Sequence, residues 1–96
     1  MTDLNAVLAE RGARYGKFLD HALITQEIKR VFAFQTEALS MMDPRDLDAD
    51  QQEALDMIAH KIGRILAGDP NYADSWADIA GYAQLVANRL LDERVQ

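Results

Sequence analysis

The chain has no cysteine, which removes disulfides, thiolate metal sites and cysteine nucleophiles together and gives no support to a disulfide-stapled secreted scaffold. It has only two prolines, Pro44 and Pro70, so helices can run long between them. No stretch approaches the roughly 18 apolar residues that span a bilayer, and Thr2, Asp3 and Leu4 open the chain without the basic start and apolar core of a signal peptide. The expectation is a cytoplasmic protein with no membrane partner. Cations are scarce too: 10 Lys and Arg stand against 16 Asp and Glu, and the formal charge of -6 argues against binding duplex nucleic acid. Ninety-six residues leave no room for separate cofactor and substrate domains, so residues 1–96 read as a single domain. What is present is apolar content, 49% of the chain with seven aromatic residues among it, more than a disordered chain carries.

The apolar residues recur with helical rather than alternating spacing, which predicts an all-α fold. A short first helix is marked by Leu4, Val7 and Leu8, capped by Asp3 or Thr2 and ending near Gly12. After a loop over Arg14 to Phe18, the stripe Ile24, Ile28, Val31, Gln35, Ala38, Leu39 and Met42 predicts a second helix that Asp43-Pro44 stops. Asp48 and Gln51 have capping-box spacing at the start of a third helix, whose inner face is Leu55, Ile58, Ala59, Ile62, Ile65 and Leu66 and whose end is Gly68. A fourth helix, with Ile79, Tyr82, Ala83, Val86 and Leu90 on one stripe and Trp76 beside it, ends near Leu91. The expected architecture is a compact helical bundle of three long helices plus a short N-terminal one. Leu23, Phe32, Phe34 and Leu85 lie off the main stripes, which points to a homo-oligomer that covers them.

Charge is segregated along the chain. Residues 11–30 hold five cations and two acids, whereas residues 43–56 hold six acids and one cation, and Asp69, Asp74 and Asp78 follow with no cation among residues 69–78. Both acidic stretches fall at expected helix N-termini, where the macrodipole favours negative charge. Glu53 and Asp56 lie deeper in the third helix, one turn apart on a side that His60 continues, opposite its apolar face. Two such carboxylates with Asp78 and Asp74 facing them offer the hard oxygen ligands of a Mg²⁺ site; a solvated polar face is the alternative. Arg14, Tyr15, Gly16 and Lys17 could hold a phosphate and stack a base, or simply form a turn. Phosphate loops of the G-x-x-x-x-G-K-[ST] and G-x-G-x-x-G kinds and the H-E-x-x-H zinc helix are absent.

The stretch from Glu53 to Leu66, the run Gly68-Asp69-Pro70-Asn71-Tyr72-Ala73-Asp74-Ser75-Trp76-Ala77-Asp78-Ile79-Ala80-Gly81-Tyr82-Ala83 and the opening from Glu10 to Phe18 resemble a family of small phage and prophage proteins of unknown function. That family is distantly similar to the MazG-like all-α nucleoside triphosphate pyrophosphohydrolases, which carry E-x-x-E and E-x-x-D carboxylate pairs around Mg²⁺. Glu53-x-x-Asp56 corresponds to the first pair and Asp78 to the closing residue of the second, where Ser75 replaces the acid three residues earlier and Asp74 stands next to it. The resemblance implies a Mg²⁺ ion on Glu53, Asp56 and Asp78, Glu53 and Asp56 as catalytic carboxylates in pyrophosphate release, and Lys61, Arg64, Arg14, Tyr15 and Lys17 as substrate-binding residues. The alternative is a non-catalytic acidic phage accessory protein that binds a host protein or sequesters a nucleotide. In a third reading, Glu53 and Asp56 only make salt bridges to Lys29 or Arg30.

Overall fold

The computed structural model describes residues 3–42 and 46–95. The all-helical expectation holds: among the described residues there are four α-helices and no strand. They are α1 (Leu4–Tyr15), α2 (Phe18–Met42), α3 (Ala49–Ala67) and α4 (Ala73–Val95). Asp3 caps α1 by accepting the Asn5 amide at 3.0 Å, while the alternative cap Thr2 and the Asp43-Pro44 stop lie outside the described residues. Helix α3 begins where the spacing predicted, with Gln51 Oε1 accepting the Asp48 N–H at 2.8 Å.

Several boundaries and faces differ from the expectation. Helix α1 passes through Gly12, where a Cβ would meet open space, and ends three residues later at Tyr15, before Gly16, whose φ of 78° ends the helical backbone. The expected loop from Arg14 to Phe18 therefore shrinks to Gly16 and Lys17. Helix α4 continues one turn past Leu91. Leu66, expected inside, is exposed, and Phe32, expected outside, is half-buried.

Helix α3 is central. It packs against α2 on one side and α4 on the other, and α2 and α4 do not meet. A helix with two neighbours has two buried faces, so the Asp56 and His60 side, which spacing placed opposite the core, turns out half-buried, His60 lying edge-on to His21 of α2 at 5.2 Å. Close approach of α2 and α3 is possible because Gly63 has no side chain; a Cβ there would sit 2.8 Å from the His21 carbonyl oxygen and closer still to Thr25 Oγ1. On the opposite side, Lys61 is buried and its Nζ lies 3.0 Å from Asp78 of α4.

The apolar interior is thin. Ala54, Ala59 and Ile65 are buried, against four buried polar residues, His21, Thr25, Lys61 and Ser75. Each fully buried Ile-sized side chain contributes about 1.5–3 kcal/mol and an alanine much less, so the half-buried Leu55, Ile58, Ile62, Ile79 and Val86 carry the rest.

Candidate functional site: a basic and aromatic pocket

Two glycines set the geometry of the corner where α1 ends and α3 ends. A Cβ on Gly16 would strike the backbone of Ala67, and one on Gly68 would strike the backbone of Arg14 and Tyr15. Gly68 has φ of -117°, outside the left-handed region, so what it supplies is close approach. The contact is fastened by the Asp69 amide donating to the Arg14 carbonyl at 2.8 Å. Tyr15 is thereby brought under Arg64, whose guanidinium carbon lies 4.2 Å from the ring centroid, close enough for cation–π attraction.

Beside this stack opens a cavity of about 450 Å³, within the usual range of small-molecule sites. Helix α1 contributes Leu8, Arg11, Gly12 and Tyr15, the junction and α2 contribute Gly16, Lys17, Phe18 and His21, and α3 contributes Arg64. Three cations thus line it, and no carboxylate does among the described residues. Phe18 and Tyr15 give it aromatic walls, with Phe18 edge-on to His21 at 5.0 Å. Burial, then Arg64, holds the His21 pKa below the usual value, and its Nδ1 is buried without a hydrogen-bond partner, as is the Arg64 Nε.

Of the substrate-binding residues inferred from sequence, Tyr15, Lys17 and Arg64 meet in this cavity. Arg14 lies next to it but is engaged, donating to Glu10 Oε1 at 2.7 Å and to the Tyr72 hydroxyl at 3.1 Å; that hydroxyl donates to Asp74 Oδ2 at 2.8 Å. Lys61 faces α4 instead, held by Asp78. Arg11, Phe18 and His21 were not singled out by sequence, although Arg11 and Tyr15, and likewise Lys17 and His21, are spaced one helical turn apart.

The four carboxylates do not converge. Asp78 pairs with Lys61, Asp74 accepts from Tyr72, Asp56 accepts from Gln52 at 3.1 Å, and Glu53 is exposed. Among the described residues no three His, Cys, Asp or Glu side chains are grouped so as to hold a metal ion. A site that gathers three of these carboxylates on one Mg²⁺ ion is therefore not formed among the described residues of a single chain. Arg30 pairs with Glu27 at 3.4 Å rather than with Glu53 or Asp56.

At the far end of α3 a different cluster forms, one that sequence did not suggest. Arg89 of α4 donates to Asp48 at 2.8 Å, to both Asp50 oxygens, at 2.7 Å for the Nη2 bond, and to Glu93 at 2.9 Å. The Arg89 hydrogen bond holds the Asp50 carboxyl below the ordinary carboxylate range.

Fold and pocket define an all-α protein with a cationic, aromatic-walled cavity and no helix among the described residues long and apolar enough to cross a membrane. The chain belongs to the DUF6378 family, a domain of unknown function whose sequence profile matches residues 2–90. No curated protein and no solved structure matches it.

Proposed function

We propose that this protein is a cytoplasmic nucleotide-binding module whose ligand lies in the cavity between α1, the start of α2 and the end of α3. The observation that carries the reading is the lining itself: Arg11, Lys17 and Arg64 without a carboxylate, in a chain of sixteen acids and net charge -6. Phosphate oxygens suit Arg11 and Arg64, which offer forked donors, and Lys17, which offers a point charge. Tyr15 and Phe18 offer faces for a base. The distant likeness to MazG-type enzymes favours the same ligand class. The carboxylate positions favour binding over hydrolysis.

The test is calorimetric titration with adenosine, ADP, ATP and inorganic pyrophosphate, followed by Arg64→Ala. Affinity is expected to rise with phosphate number, fall with added salt, and drop about tenfold or more in Arg64→Ala, for charged hydrogen bonds worth about 1.5–3 kcal/mol. Binding of none of the four compounds refutes the reading. Release of pyrophosphate from ATP at a rate dependent on Asp56 would instead favour the hydrolase. We further propose that the working form is a homo-oligomer, supported by large apolar side chains left on the surface, among them Leu23, Phe34 and Leu85.

A further inference from the structure

The outer face of α2 carries a stripe with an internal symmetry. Leu19, Leu23, Glu27, Arg30, Phe34 and Ala38 follow one another at intervals of four, four, three, four and four residues, the same read in either direction. Leu19, Leu23, Glu27, Arg30 and Phe34 are exposed on the side of α2 turned away from His21 and Thr25, which meet α3, and Ala38, placed by its spacing on the inner stripe, is half-buried at the edge of that side. Leu19, Leu23 and Phe34 are 68%, 59% and 68% exposed, an arrangement unusual for three large apolar residues on one helix face. Glu27 and Arg30 are exposed as well, joined only by the long 3.4 Å contact along their own helix. A shallow groove lined by Glu27, Arg30, Val31 and Phe34 runs beside them.

The geometry points to a second copy of this chain as the occupant, docked so that its α2 lies antiparallel on this one about a two-fold axis between Glu27 and Arg30. In that register each Leu23 faces Phe34 of the other copy, each Leu19 faces Ala38, and each Glu27 faces Arg30, every pair occurring twice as an isologous interface requires. The charges at the centre are complementary only in the antiparallel sense, because a parallel, in-register pair would place Glu27 on Glu27. Area supports the same occupant. The accessible surface is 7281 Å², against about 5500 Å² for a compact monomer of this mass, and a stable interface needs only about 800 Å² from each partner. The radius of gyration of 16.5 Å likewise exceeds the roughly 12.5 Å of a compact chain of this length. This inference rests on the self-association proposed above and is independent of the nucleotide.

The experiment is sedimentation equilibrium of the full chain and its variants, with circular dichroism to confirm helix content. Wild type is expected at twice 10.8 kDa. Phe34→Asp, at an exposed position, is expected at the monomer mass with helix retained. Glu27→Arg and Arg30→Glu singly bring like charges together and are expected to weaken association about tenfold at low salt, whereas the double variant Glu27→Arg/Arg30→Glu restores it. Leu91→Asp, on α4, is expected to leave the dimer intact. A wild-type monomer at high concentration overturns both self-association and the surface. A dimer insensitive to Phe34→Asp overturns the surface while sparing self-association, and charge reversals that are not rescued by the double variant overturn the antiparallel register.

Discussion

The two ends of α3 use cations in opposite ways. At its start, Arg89 is shared among Asp48, Asp50 and Glu93, so its donors are consumed in holding α4 to α3. At its end, Arg64 stacks on Tyr15 beside Arg11 and Lys17 with no carboxylate in the cavity wall. Both clusters are arginine-centred and both join helices, yet one is closed and the other open. A cation surrounded by acids stabilises a fold and is invisible to a ligand; a cation facing a cavity is available to one. The difference is one of partners rather than of residue type, and for that reason Lys61, bound to Asp78, drops out of the ligand reading despite sharing a helix with Arg64.

The end of α3 that opens onto the cavity is most sensitive at its glycines. Gly16→Ala puts a side chain into the Ala67 backbone at a positive φ, and the combined overpacking and left-handed cost is expected to be about 2–4 kcal/mol in urea unfolding, with nucleotide affinity lost because Tyr15 and Arg64 no longer meet. An unchanged midpoint would mean that α1 is not pinned there. Next in size is Arg89→Met, which leaves three carboxylates facing one another and is expected to lower the melting temperature by several degrees while leaving ligand affinity intact; Arg64→Ala is expected to do the reverse.

Acid separates the same two regions. Burial pushes the His60 pKa down to about 4, helped by Arg64, His21, Lys61 and Lys29. A folded-state value below the usual 6.5 means that the unfolded chain binds the extra proton, so stability is fully present above pH 6.5 and is lost as pH falls through about 4. Asp50, also held below its ordinary value, contributes stability above about pH 4 that disappears below it. Thermal melts from pH 7 to 3 are expected to decline in two limbs, the upper one flattened by His60→Gln and the lower one by Arg89→Met. A single limb near pH 4, unchanged by His60→Gln, would contradict the burial of that ring. The smallest effect belongs to the carboxylates read from sequence. Glu53→Gln is expected to stay within about 0.5 kcal/mol, and Mg²⁺ to shift the melting temperature no more than NaCl at equal ionic strength. A Mg²⁺-specific rise abolished by Asp56→Asn would show carboxylates gathered from more than one copy.

Periodicity revealed the elements that bury a single stripe, and capping chemistry located the start of α3 from Asp48 and Gln51. It misjudged His60 because one stripe per helix describes a helix packed on one side, and α3 packs against α2 and α4 on different sides. The pocket is half legible: sequence points to Tyr15 and Lys17 as residues of a turn and to Arg64 as a helix cation, but as separate features. What joins them is the Gly16–Ala67 and Gly68–Tyr15 crossing, a close approach between distant segments that leaves no local pattern beyond a pair of glycines. Arg89 escaped notice because its three partners lie on two helices and only Glu93 is one turn away. The carboxylate pair misled in the other direction, since i, i+3 spacing brings Glu53 and Asp56 to one side but says nothing of where Asp78 lies along the neighbouring helix.

Helix α1 buries none of its residues and is anchored through its C-terminal end. Its amides therefore exchange through local opening rather than through global unfolding, and they are expected to take up deuterium far sooner than those around Ala59, which is fully buried in α3. Yet α1 supplies Arg11 and Tyr15, a full wall of the cavity. A ligand bridging Arg11 to Arg64 would then spend part of its binding energy ordering that wall, and its occupancy would be written in slower exchange along Leu4–Tyr15 while the amides near Arg89 keep their original rates.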